Sequence, residues 1–423
     1  MGIRVSGPIM NLKPSVTLGI DEKVRSLRKE GHTVYHLGFG SSPFPAPETV
    51  QQALRDNADK NKYYSSIGVP ELRTAIAEFY ENKYALPTTP EQIMIAPGSK
   101  SLFFLLSNII EGPLLLPQPS WVSHEPQARI IGKTVYRLKT NFDDDLLVTS
   151  ETLEKNLKQL GLDNKKQKLM LINYPNNPTG ASYEKNVLEE LAETCKKYNI
   201  FVISDEIYGL LTFEGTHYSF SNFLPEKTFM TTSLSKDRSL GGYRLGVIRV
   251  PNNEKEILGR FKALASEIWS CVPGPIQFAA IAAYQSNTDI NQHIEISTKI
   301  YKTVVQYAYQ KLKNETNLKI PHPKGAYYIY PDFSQYEKTL LEIGIKNSEQ
   351  LSHYLLDKYH VATLPSTPFG MSKKQFFLRL ALVDFDGNKA MNEWKSFTVK
   401  KLDYYAPRVV EGINKIIEFL SDL

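Results

Sequence analysis

The segment TTSLSKDRSLGGYRLG, residues 231–246, sets one amine, Lys236, among the hydroxyls of Ser233 and Ser235, three glycines and Arg244. Desolvation or a neighbouring cation lowers a lysine's pKa and leaves its amine nucleophilic, which suits it to forming a Schiff base with a carbonyl compound. A carboxyl group, Asp205, ends the apolar run FVIS, where burial without a cation would raise its pKa. Tyr208 follows with a phenol. Ser99 and Lys100 open the apolar helical pattern SLFFLLSNII, whose first unpaired N–H groups and dipole favour an anion. With Ser233 and Arg244 as further donors, these residues read as a phosphate cup. Trp121 offers a flat apolar face for stacking. Each residue alone has a plainer reading. Lys236 would be a surface lysine, Asp205 a helix cap or core ion pair, Trp121 a packing residue, and Arg379 the partner of a structural carboxylate.

The elements that must position them follow from hydrophobic periodicity. Candidate strands are 92–96, 113–117, 134–139, 168–173, 201–205, 228–233 and 245–250. Helical patterns lie between them, such as 185–199, where Leu188, Leu191 and Cys195 recur at helical spacing. This alternation predicts an α/β fold, a mostly parallel sheet sandwiched by helices. In such sheets ligands bind beyond the carboxyl ends of the strands. Ser99 and Lys100, Trp121, Asn177, Asp205, and Ser233 to Lys236 then come from five strands to one edge. A long segment with Ile300, Val304, Ala308 and Leu312 leads to a smaller α+β domain, which ends in the apolar stripe Val409, Ile413, Ile416 and Leu420. The expected division is an N-terminal segment (1–45) packing on the small domain, a large ligand-binding domain (46–300) and the small domain (301–423).

A phosphate, a ring nitrogen kept protonated by a carboxylate, a ring oxygen facing a phenol, and an aldehyde captured by an amine together describe pyridoxal 5′-phosphate. No spacing suggests a metal site.

Several segments in order carry a resemblance. They are residues 12–40, NKYYSSIGVPELRTAIAEFY (61–80), PSWVSHEP, NYPNNPTG, SDEIY, SLSKDRSLGGYRLG and FFLRLA (376–381). With them the sequence resembles the fold-type-I pyridoxal-phosphate-dependent aminotransferases of class I and II, in the aspartate aminotransferase superfamily. The resemblance implies that Lys236 forms the Schiff base and moves the proton, and that Asp205 protonates the pyridine nitrogen. Tyr208 and Asn177 would hydrogen-bond the ring oxygen, and Trp121 would stack on the ring. Ser99, Lys100, Ser233 and Arg244 would hold the phosphate. Arg379 would bind the substrate α-carboxylate with the Gly40 backbone and Asn177. Tyr63, with Tyr64 as an adjacent competitor, would reach the phosphate of a neighbouring subunit, implying a homodimer with shared sites. The reaction implied is nitrogen transfer from an L-amino acid, aspartate or aromatic, to a 2-oxo acid by a ping-pong route. Two departures stand out: SSPFPAP after Gly40, where many members carry an acidic residue, and a long stretch at 384–407.

Composition narrows the classes. The 423 residues are 42% hydrophobic and 22% charged, which excludes a disordered chain. The net charge of +5 is scattered, apart from groups such as Lys165, Lys166 and Lys168, and reads as solvated surface, not a nucleic-acid footprint. Two cysteines, Cys195 and Cys271, give no disulfide framework, so a reducing, cytoplasmic setting is expected. The opening MGIRVSG lacks a secretory apolar core, and its match to the myristoylation pattern at Gly2 and Ser6 is short enough to arise by chance. Two other readings stay open: a lyase resembling 1-aminocyclopropane-1-carboxylate synthase, and a cofactor-binding regulator without turnover.

Overall fold

The seven apolar runs form one sheet in the computed structural model, which describes residues 6–10, 12, 14–251 and 255–423. Gly2 of the acylation pattern lies outside the described residues. In chain order the strands are β1 (Tyr35–His36), β2 (Ile93–Ala96), β3 (Leu114–Gln118), β4 (Val135–Lys139), β5 (Lys168–Asn173) and β6 (Ile200–Asp205). They continue with β7 (Thr228–Ser233), β8 (Gly246–Arg249), β9 (Tyr328–Ile329), β10 (Val361–Ala362), β11 (Leu364–Pro365) and β12 (Leu378–Ala381). The large sheet has the order β2-β8-β7-β6-β5-β3-β4. Strands β3 to β7 pair in parallel, as expected, whereas β8 runs antiparallel to both β7 and β2. The connection between β7 and β8 carries one short 3-10 turn, Gly241–Tyr243, and no crossover helix. A parallel return needs such a crossover, so the chain doubles back beside β7 and leaves the Lys236 loop at the sheet's ligand edge.

Alternation along the strands sorts side chains onto two buried faces. Leu114, Leu116, Leu169 and Leu171 pack with Leu102 and Leu106 of the helix Ser99–Ile109 on one face. Leu115, Met170 and Ile172 pack with Leu188, Leu191 and Cys195 of the helix Lys185–Lys197 on the other. Both faces being covered explains why β5 reads as the unbroken apolar run KLMLIN, every residue of which is buried.

The helix Thr288–Glu315, with Ile300, Val304, Ala308 and Leu312 buried, leads to the smaller α+β domain. Its antiparallel sheet, β11-β12-β9, packs with the terminal helix Pro407–Ser421 through Val409, Ile413 and Ile416. The N-terminal segment reaches the same region: β1 pairs with β10, and Val24 of the helix Val16–Lys29 meets Leu356 and Ala362. The stretch 384–407 ties these pieces together. Asp384 pairs with Arg28 at 2.7 Å and with Arg408 at 2.9 Å, and accepts the His36 N–H. Phe385, Phe397 and Tyr405 then close an aromatic layer over the core, with successive ring centroids 6.2 and 5.0 Å apart. No helix among the described residues is long and apolar enough to cross a membrane.

Candidate active site

A cavity of about 370 Å³ opens at the carboxyl ends of the parallel strands. It is lined by Gly40, Ser99, Lys100, Trp121, Asn177, Asp205, Tyr208, Lys236, Arg244 and Arg379, ten of the residues singled out in the sequence.

One end is built around the first turn of the helix Ser99–Ile109. Gly98 precedes it at φ +80, and a Cβ there would collide with Nη2 of Arg244. A Cβ on Gly246 would likewise strike the Ser99 backbone nitrogen. Both positions demand glycine because the Arg244 loop lies directly against the helix terminus. Partial burial and then the Arg244 charge hold the Lys100 pKa down. Two cations thus converge on free helical N–H groups, an arrangement that favours a dianion. Ser233 stands one layer back, 1% exposed at the end of β7, where its hydroxyl meets that of Ser235 at 2.7 Å. Ser235 itself lines the cavity.

The centre holds the amine and the carboxyl. Lys236 Nζ donates to the Gly40 carbonyl at 2.8 Å, and burial holds its pKa below the usual lysine range. It lines the cavity and is no surface lysine. Asp205 is 4% exposed, accepts from Asn173 Nδ2 at 3.2 Å and Thr231 Oγ1 at 3.4 Å, and makes no ion pair among the described residues. Burial pushes its pKa up to about 7. Neither a helix cap nor a core ion pair describes it. Tyr208 shares a 2.9 Å hydrogen bond with the hydroxyl of Tyr328. Trp121 is half-buried, edge-on to Phe103, with Lys100 Nζ 5.1 Å from its ring centroid.

Arg379 forms the opposite wall. Its guanidinium is 1% exposed and lies 4.8 Å from the Tyr328 ring, donating to Gly38 O at 2.6 Å and Asn177 Oδ1 at 3.3 Å. Nε has no partner, and burial lowers the pKa. No carboxylate neutralises it among the described residues, so the reading as partner of a structural acid does not hold. The carbonyl beside it is that of Gly38. The Gly40 carbonyl accepts from Lys236 and Tyr327, and Gly40, which lines the cavity, must be glycine because a Cβ would run into the Tyr328 hydroxyl.

Tyr63 is not brought to the cavity by its own chain. It is 90% exposed, while Tyr64 packs on Phe278 with ring centroids 5.4 Å apart. Tyr64 is thus the half-buried packing aromatic of the two. Sequence reasoning missed Asn173 and Tyr328, and gave the phosphate role to Ser233 where Ser235 lines the cavity. Asn173 ends its apolar run just as Asp205 does and pairs with it in register, so the rule that selected Asp205 also selects Asn173. Tyr328 has no such signal, since GAYYIY offers three tyrosines of equal merit.

Comparison with known proteins agrees with this geometry. The family model for aminotransferase class I and II matches residues 33–389. The probable aspartate/prephenate aminotransferase of Aquifex aeolicus (strain VF5) is 30% identical, over 98% of either chain. The solved aspartate aminotransferase of Thermus thermophilus with maleate superposes with a TM-score of 0.85 at 25% identity, covering 99% of this chain and 100% of that one. The aromatic aminotransferase of Pyrococcus horikoshii OT3 superposes at 0.79, with 25% identity, covering 94% of this chain and 98% of that one. A family match across most of the sequence, on a mixed seven-stranded sheet with a cavity at the carboxyl ends of its parallel strands, places the chain among the fold-type-I pyridoxal-phosphate-dependent aminotransferases of class I and II.

Proposed function

We propose that the chain binds pyridoxal 5′-phosphate at Lys236 and transfers nitrogen from an L-amino acid to a 2-oxo acid, in alternating half-reactions. Donors are aspartate or an aromatic amino acid, in keeping with the relatives named for those substrates; the acceptor is 2-oxoglutarate or pyruvate. One observation carries the reading: a half-buried amine shares a single cavity with a carboxyl at Asp205 that makes no ion pair, and with a guanidinium at Arg379 that has no carboxylate partner, among the described residues.

The residues fit the cofactor. Asp205 is a buried carboxyl without an ion pair among the described residues, Arg244 and Lys100 flank the N-terminus of the helix Ser99–Ile109, and the orphaned Nε of Arg379 leaves its fork under-used. When bound, pyridoxal phosphate supplies an electron sink for the charge that develops at the substrate Cα. The chain's own groups do the rest. Arg379, Asn177 and the Gly40 backbone bind and orient the substrate α-carboxylate, and Lys236 takes the proton from the substrate Cα and delivers it to C4′ of the cofactor. Asp205 holds a proton on the ring nitrogen. Tyr208 and Asn177 fix the ring oxygen and Trp121 covers the ring. Ser99, Lys100, Arg244 and Ser233, the last with Ser235, retain the phosphate. Tyr63, exposed on one subunit, serves the neighbour's phosphate in a cytoplasmic homodimer. The segments 1–45, 46–300 and 301–423 act as clasp, cofactor domain and substrate-arginine domain.

The test is a titration of cofactor-loaded protein with a panel of amino acids. Aspartate or an aromatic donor should convert the cofactor to its aminated form and release one equivalent of 2-oxo acid. A lyase would return the aldehyde form with each product, and a regulator would react feebly with every amino acid. In the same assay Arg379→Lys should raise KM by about tenfold to a hundredfold, because a point charge replaces a planar fork. Unchanged KM would remove Arg379 from substrate binding.

A further inference from the structure

The SSPFPAP loop after Gly40 contacts the Lys236 loop through side-chain hydroxyls. Ser42 Oγ lies 2.7 Å from Ser239 Oγ, and Ser239 Oγ lies 3.1 Å from Nε2 of His293 on the helix Thr288–Glu315. At the other end Tyr301 donates its O–H to Ser42 Oγ at 2.9 Å. His293 is 6% exposed, and burial lowers its pKa to about 4, so at neutral pH its ring is uncharged and has a lone pair to offer. The donors can therefore all point one way, from Tyr301 through Ser42 and Ser239 to His293.

Ser239 sits at φ 58, in the left-handed region that serine seldom occupies. Such a conformation persists where surrounding contacts over-determine it. Here the contacts close a ring. Lys236 Nζ donates to Gly40 O at 2.8 Å, Ser42 follows two residues after Gly40, and Ser239 three after Lys236. The Tyr327 hydroxyl supports the same carbonyl at 3.2 Å, and its ring contacts Tyr301 at 4.9 Å. Neither Ser42 nor Ser239 lines the cavity.

We propose that the Ser42–Ser239 hydroxyl pair is a clasp that holds the Gly40 carbonyl against the Lys236 amine, making both serines positioning residues for the reacting nitrogen. The inference rests on the reading of Lys236 as that nitrogen. The groups facing the amine are Asp205, Tyr208, Tyr327, Tyr328, Arg244 and Arg379, and none is altered by changing either serine. A carbonyl acceptor favours the charged amine, so releasing it must lower the pH at which Lys236 loses its proton.

The test is pH-dependent labelling of the full chain without cofactor, using an amine-directed acylating reagent and peptide-resolved mass spectrometry. Ser42→Ala and Ser239→Gly are each expected to lower the Lys236 labelling midpoint by about half a pH unit or more, leaving that of Lys100 unmoved. The double variant should shift no further than the larger single change, because either break opens the ring. Ser239→Gly also removes the left-handed strain, so its melting temperature should be no lower than that of the parent. It keeps the test valid if Ser42→Ala folds poorly. Lowered melting temperatures with an unmoved Lys236 midpoint would overturn the clasp, leaving only a structural contact. A chain that fails to bind pyridoxal phosphate would defeat the proposed function separately, since the labelling is read without cofactor.

Discussion

Lys236→Ala is expected to fold, to retain pyridoxal phosphate non-covalently, and to lose turnover by about four orders of magnitude or more. The amine serves twice in the proposed function, as the covalent anchor and as the group that moves the Cα proton, and among the described residues no other amine occupies its place. Lys100, the other lysine in the cavity, sits at the phosphate end beside Trp121. Folding should survive because Nζ makes a single hydrogen bond, to Gly40 O, which keeps the Tyr327 hydroxyl as a donor. Loss of a desolvated charge offsets the lost packing. Steady-state rates and thermal melting check both halves, and partial rescue by added methylamine would separate missing chemistry from misfolding. Turnover within tenfold of the parent would show that the proton moves through another residue.

Asp205→Asn is expected to reduce kcat by about a thousandfold while making the cofactor-free protein more stable at neutral and higher pH. The two effects have one origin. Burial raises the Asp205 pKa from 3.8 to about 7. An acid whose folded pKa lies above its unfolded value favours the folded state only while protonated. The cofactor-free parent therefore loses stability as pH rises from about 4 through about 7, by about 4 kcal/mol at most, and the loss levels off above that range. Asparagine carries no charge to bury, so the difference in stability should open across the same interval. Binding a cationic ring nitrogen reverses the preference of the parent, and the asparagine variant cannot follow it. Calorimetric melting of both cofactor-free proteins from pH 4 to pH 9 measures the first effect. A difference independent of pH would show that Asp205 is not the strained acid.

The large sheet is legible in sequence because its strands are buried on both faces and so stand out as short apolar runs bounded by turns. The same logic finds Asp205 and the Lys236 loop, which end such runs. It does not give the direction of β8, which depends on what the connection after Ser233 lacks. Nor does it separate Ser233 from Ser235, since one residue of backbone turn decides which hydroxyl faces the cavity and which is buried. Arg379 is identifiable only through the resemblance, because nothing local in FFLRLA says that the guanidinium lacks an acid. Nor does sequence show that the guanidinium rests on the Gly38 carbonyl, a contact that depends on how the N-terminal segment folds over Tyr328. Contacts such as Ser42 with Ser239 lie 197 residues apart in sequence and leave no periodic trace.

Reduction with borohydride after incubation with pyridoxal phosphate, followed by peptide mapping, tests the central claim most directly. The account predicts one stable pyridoxyl adduct per chain, on the peptide containing Lys236, and none after Lys236→Ala. An adduct on Lys100 or any other lysine, or a fully folded chain that acquires none, would contradict it.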